Sequence, residues 1–237
     1  MMKEDVCALI ARIGVIPAIR VSSAADAHFA ATAVARGGIP IVEITLTVPR
    51  AVDLIAHLVR HHPNMVVGAG SLVGTEMARQ CVDAGASFLT APGFDLEIVQ
   101  FAAKEGVAAL PGAMTPTEVA TAWKAGSDFV KVFPCGGVGG DRHIKALHTS
   151  MPQIRMIAAG GVNQQTAADY IVAGATAIGV GAELIPTEAI QRRQADRIQE
   201  LAHRFLKYVK EGRERVKAWQ QSVDDQAFDE TEKCEEK

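Results

Sequence analysis

The chain has 237 residues, 49% of them hydrophobic and 22% charged, which suits one large domain or two small ones around a sizeable core. The 24 Lys and Arg and 27 Asp and Glu leave a net charge of −3, and aromatics make up only 5%; neither figure favours nucleic acid as a partner. No stretch reaches the ~18 apolar residues that a membrane-spanning helix needs.

In chain order, one pattern repeats eight times. A short apolar or β-branched run is followed by Gly, Pro, Ser or Thr, and then by an Ala-rich segment of helical period. The predicted strands are Val15–Arg20, Pro40–Thr45, Met65–Gly70, Phe88–Pro92, Val107–Pro111, Phe129–Phe133, Met156–Ala159 and Ala177–Val180. Helices are predicted to begin near Ala24, Arg50, Thr75, Leu96, Pro116, Asp141, Gln165 and Thr187. Gly37-Gly38, Gly85, Gly106, Gly126 and Gly174 stand at helix ends, where a left-handed residue stops the helix. Thr115-Pro116-Thr117-Glu118 reads as a cap followed by Pro at the first helical position. Eight βα units within about 190 residues predict an α/β fold, a (β/α)8 TIM barrel.

The last helix is predicted to run to about Gln220. Residues 191–217 carry nine Lys or Arg and four Asp or Glu, whereas residues 218–237 carry two Lys and seven Asp or Glu. The division expected is a single barrel domain over 1–220 with an extended C-terminal helix, then an acidic tail over 221–237 without periodicity and disordered. The cysteines at 7, 81, 135 and 234 form no CxxC pair, and the opening MMKEDVCALIARIG carries charges where the apolar part of a leader would lie. That is the pattern of a reduced, cytoplasmic protein.

Two charges lie inside strands that should be apolar. The second predicted strand contains Ile41-Val42-Glu43-Ile44-Thr45, and the sixth reads Phe129-Val130-Lys131-Val132-Phe133. A lone buried charge costs several kcal/mol, so the two are expected to share a site. Both fall toward the C-terminal ends of their strands, where barrel active sites are built. Desolvation between Val and Phe would favour the neutral amine of Lys131, the form that attacks a carbonyl to give a Schiff base. Glu43 would then shuttle protons. Arg20, at the end of the first strand, could bind a carboxylate or a phosphate. Gly68-Ala69-Gly70-Ser71, Gly160-Gly161 and Gly179-Val180-Gly181-Ala182 close three strands and could offer backbone amides to anions. The histidines at 28, 57, 61, 62, 143, 148 and 203 all fall in predicted helices or their end loops, so no metal site is expected. Cys135 has no partner His and reads as a bystander thiol.

These residues and several motifs resemble the 2-keto-3-deoxy-6-phosphogluconate (KDPG) / 4-hydroxy-2-oxoglutarate (KHG) aldolase family. The match runs from Ile16-Pro17-Ala18-Ile19-Arg20 to about Pro186, through Val42-Glu43-Ile44-Thr45, Val67-Gly68-Ala69-Gly70-Ser71, Ala91-Pro92-Gly93, Pro111-Gly112-Ala113-Met114-Thr115-Pro116, Val130-Lys131-Val132-Phe133-Pro134, Ile144-Lys145-Ala146-Leu147 and Gly160-Gly161-Val162. The resemblance implies a class I aldolase without a cofactor, a homotrimer, taking a small 2-keto acid. It implies Lys131 as the Schiff-base lysine and Glu43 as acid and base. It puts Ser71 where many members have a Thr that contacts the pyruvyl carboxylate, with Pro92 and Phe133 lining the pocket and Gly160, Gly161, Gly181 and Ala182 near a substrate phosphate. Thr47 occupies a position where some members grip the carboxylate with Arg. Ala159 and Ala182 replace a Thr and a Ser common in the family. Two hydroxyls are thereby lost, each worth roughly 0.5–1.5 kcal/mol of binding. Retro-aldol chemistry is thus implied more firmly than a phosphorylated substrate. Two other readings are compatible with the residues alone: a sugar-phosphate isomerase or epimerase with Glu43 as base, and a non-catalytic barrel whose Glu43–Lys131 pair is structural.

Overall fold

The computed structural model describes residues 1–235, with side chains as far as Ser222. The strands are β1 (Val15–Ile19), β2 (Ile41–Thr45), β3 (Val66–Gly70), β4 (Phe88–Thr90), β5 (Ala108–Leu110), β6 (Gly112–Ala113), β7 (Val130–Val132), β8 (Met156–Ala159) and β9 (Ala177–Val180). All pair in parallel, in the order β5-β4-β3-β2-β1-β9-β8-β7-β6. β5 and β6 are two halves of one run. Pro111 has no N–H to give a ladder, and the run divides there, the first half pairing with β4 and the second with β7. Its carbonyl still accepts from Lys131 N at 2.9 Å. The sheet therefore closes into an α/β barrel of eight strand positions, as the repeat predicts.

Helices α2 (Ala24–Arg36), α3 (Ala51–His61), α4 (Thr75–Asp83), α5 (Leu96–Glu105), α6 (Pro116–Lys124), α7 (Asp141–Ser150) and α8 (Ala167–Val172) follow successive strands on the outside. Both faces of the strands are covered, which is why they read as continuous apolar runs rather than alternating ones. Small side chains let the outer layer approach closely: Ala27, Ala30, Ala31 and Ala33 of α2 are buried.

Three elements differ from the sequence expectation. First, an N-terminal helix, α1 (Lys3–Ile13), buries Val6, Cys7 and Ile10 and ties Lys3 to Asp128 at 3.0 Å. Second, the last predicted helix is two: α9 (Thr187–Gln191) and α10 (Ala195–Glu235). Arg193 marks the break, with a φ of 52°. Its guanidinium pairs with Asp26 at 2.8 Å and stacks over Phe29 of α2, a tertiary anchor with no Gly or Pro to announce it. Third, α10 runs past Gln220 to Glu235, because no Gly or Pro occurs between 213 and 235 to stop it. Of the acidic tail expected over 221–237, the backbone as far as Glu235 thus continues α10, and the side chains from 223 onward lie outside the described residues. Arg213 of α10 donates to the carbonyls of Ala11 and Arg12, so the last helix caps the C-terminus of the first.

Candidate active site

A cavity of about 520 Å³ opens at the C-terminal ends of the strands, within the range of small-molecule sites. Its walls follow the period of two that a strand imposes. β1 and its exit contribute Ile16, Ala18 and Arg20; β7 and its exit contribute Lys131 and Phe133; β8 contributes Ile157 and Ala159. Glu43 and Lys131 stand on β2 and β7, the second and sixth of eight strand positions, hence on opposite walls. Only long side chains can meet across such a barrel, and these do. Lys131 Nζ lies 3.3 Å from Glu43 Oε2 and donates to Thr90 Oγ1 at 3.4 Å.

The environment of the pair is tightly fixed. The Lys131 and Glu43 side chains are 13% and 5% exposed, and Thr90 is fully buried. Register places Glu43 beside Ala18 on one neighbour and Gly68 on the other. Gly70, two residues on, makes room for the carboxylate: a Cβ there would lie 2.1 Å from Glu43 Oε1. Phe133 flanks the amine, with its ring centroid 5.6 Å from Nζ. The ring in turn requires Gly160, whose added Cβ would meet it at 3.0 Å.

At the mouth, Arg20 Nη2 lies 3.5 Å from Ser71 Oγ. Ser71 holds a φ of 62°, a left-handed conformation that costs a non-glycine residue of order 1–3 kcal/mol and is characteristic of functional turns. Cys135 is buried behind the Gly160 turn, its thiol donating to Gly160 O at 3.4 Å. Burial pushes that thiol up from its ordinary value, so little thiolate is available for chemistry. None of the seven histidines lines the cavity.

Of the residues singled out from sequence, Arg20, Glu43, Ser71, Pro92, Lys131, Phe133, Gly160, Gly161, Gly181 and Ala182 all line this one cavity. Thr47 does not. It stands in the turn after β2, exposed, and its hydroxyl is paired at 2.8 Å with Thr45 Oγ1, which itself donates to Ile19 O. Thr90, Asn163 and Glu183 line the cavity and were not anticipated. Thr90 left a signal, being a polar residue inside a buried strand two positions before Pro92. Asn163 and Glu183 left none, since polar residues beyond a strand end are unremarkable.

A shielded amine beside a carboxylate, at the open end of a parallel barrel, is an arrangement suited to one class above others: enzymes that engage carbonyl compounds through a lysine imine. The comparisons specify it further. The family model for KDPG and KHG aldolases matches residues 6–201, so the chain belongs to the KDPG and KHG aldolase family, class I aldolases that yield pyruvate and an aldehyde. It is similar to 2-dehydro-3-deoxy-phosphogluconate aldolase of Pseudomonas aeruginosa, 30% identical over 84% of this chain and 90% of that one. It is also similar to KHG/KDPG aldolase of Escherichia coli, 28% identical over 83% and 92%. Among solved structures, KDPG aldolase of Legionella pneumophila with pyruvate captured as a covalent carbinolamine superposes with a TM-score of 0.77 at 29% identity, over 83% of this chain and 96% of that one.

Proposed function

We propose that this enzyme cleaves 2-keto-3-deoxy-6-phosphogluconate, 4-hydroxy-2-oxoglutarate or both between C3 and C4, giving pyruvate plus glyceraldehyde 3-phosphate or glyoxylate. The observation that carries the reading is the approach of Lys131 Nζ to Glu43 Oε2, 3.3 Å, inside the cavity. Lys131 Nζ attacks the C2 carbonyl, and loss of water leaves an iminium. Glu43, through one water, takes the proton of the C4 hydroxyl. The C3–C4 bond breaks, its electron pair enters the enamine and the aldehyde departs. Return of a proton to C3 and addition of water to the iminium release pyruvate and the free amine. The Thr90 hydroxyl, which accepts from Nζ at 3.4 Å, positions the amine. Arg20 and Ser71 hold the carboxylate of the keto acid, while Pro92 and Phe133 keep the reacting carbons out of water. Gly160, Gly161, Gly181 and Ala182 border the far end of the substrate.

The resemblance to the family also supports a homotrimer in the cytoplasm, the first readable by light scattering and the second by fractionation. The decisive experiment for the chemistry is borohydride reduction with pyruvate, followed by peptide mass mapping. A reduced pyruvyl adduct on the Lys131 peptide is expected. Folded protein that gives no adduct would overturn the imine mechanism.

A further inference from the structure

The two sides of the cavity mouth differ in charge. Arg20 reaches toward Ser71, which follows β3, and so leans across β2 and away from β9. The opposite side, built on the exits of β8 and β9, presents Asn163, Glu183 and Thr187 beside the glycine turns. The cations that line the cavity are Arg20 and Lys131 alone among the described residues, and Lys131 is on the floor, paired with Glu43. The β8–β9 side therefore carries an exposed carboxylate and no cation among its lining residues.

Those side chains suit hydroxyls. Asn163 Oδ1 is engaged by the backbone N–H groups of Gln165 and Thr166 at 2.9 and 3.0 Å, so its remaining offer to a ligand is the amide N–H. Glu183 only accepts, and Thr187 both donates and accepts. A terminal alcohol can donate to Glu183 and accept from Asn163. The phosphate monoester dianion that predominates at pH 7 has acceptors only and two negative charges, which Glu183 repels. The backbone amides of the glycine turns serve either ligand and so do not decide between them.

We propose that the β8–β9 side recognises the uncharged, hydroxylated end of the substrate. On this reading the enzyme cleaves the 2-keto-3-deoxy acid ending in a free alcohol at least as efficiently as its 6-phosphate ester, releasing pyruvate and glyceraldehyde. This rests on the lysine-imine reading above. The bond changes are the same, and only the departing aldehyde differs.

The test compares kcat/KM for the two acids on the full-length protein. A value for the free alcohol equal to or above that for the ester is expected; a higher value for the ester would overturn the proposal. Glu183→Lys should then shift the ratio of the two kcat/KM values toward the ester by about tenfold, mainly through KM, and added salt should narrow the wild-type ratio. A ratio that Glu183→Lys leaves in place would remove Glu183 as its cause. Borohydride trapping with pyruvate, which never fills the far side, keeps the two readings separable. An adduct together with a preference for the ester sinks this proposal alone, whereas no adduct sinks both.

Discussion

The floor of the cavity and its rim are made from different parts of the chain. Glu43, Thr90 and Lys131 sit within strands, and their positions follow from pairings such as Glu43 with Gly68 and Lys131 with Ile157. Arg20, Ser71, Asn163 and Glu183 all lie beyond the last residue of a strand. A side chain on the floor cannot move without disturbing a ladder or a packed neighbour, whereas one on the rim moves with its loop. The reaction is thereby separated from substrate choice: the barrel fixes the first, and the turns can vary the second.

The largest expected effect comes from removing the amine. Lys131→Met should reduce turnover to the buffer rate, since among the described residues lining the cavity no other offers an amine that can form the imine. It also strands the Glu43 carboxylate, whose side chain is only 5% exposed, at a stability cost of about 3–5 kcal/mol. Adding Glu43→Gln should recover much of that stability and none of the activity. Measured melting curves and turnover for the single and double variants test both halves. Substantial residual turnover in either would mean that the floor does not carry the chemistry.

A glycine gives a sharper test of how rigid the floor is. A methyl group at position 70 would lie 2.1 Å from Glu43 Oε1, and the carboxylate is the part able to yield. Gly70→Ala should displace it by about an ångström and lower kcat by on the order of 10²-fold, with overpacking costing about 1–3 kcal/mol. Unchanged kcat would show that the floor tolerates movement as the rim does, and the contrast between the two would fail.

The same contrast explains what the sequence makes legible. The strands and the helices behind them stand out because buried parallel strands form unbroken apolar runs. Glu43 and Lys131 are visible against that background, and their pairing across the barrel follows from the cost of a lone buried charge. Helix α1 escapes notice because it precedes the repeat, and the break between α9 and α10 because Arg193 makes it through contacts with Asp26 and Phe29 rather than through a local signal. Rim residues have no apolar background. Glu183 is one exposed acid among many, and Thr47, which resemblance puts in the site, turns out of it to pair with Thr45. Only the path of the loop tells the two apart.

The smallest effect concerns the loop between β6 and α6, which follows the C-terminal end of a strand but does not line the cavity. Glu118 accepts from the backbone N–H groups of Met114 and Thr115, both at 2.8 Å, and its own N–H is capped by Thr115 Oγ1 at 3.3 Å. These bonds favour the charged form and hold the Glu118 carboxyl below its ordinary value of 4.5. In the unfolded chain the group titrates near that ordinary value, so around and below it the unfolded state binds more protons. The stabilisation is therefore complete above about pH 4.5 and is lost as pH falls through the lower folded value. Glu118 is exposed, and solvent screening keeps the effect modest. Glu118→Gln should melt slightly below the wild type at pH 6, and the gap should close toward pH 3. Hydrogen exchange at the Met114 and Thr115 amides should quicken over the same interval, relative to the chemical rate, while amides of β2 and β7 stay protected. A melting gap that persists unchanged at pH 3 would mean that the charge is not what holds this loop.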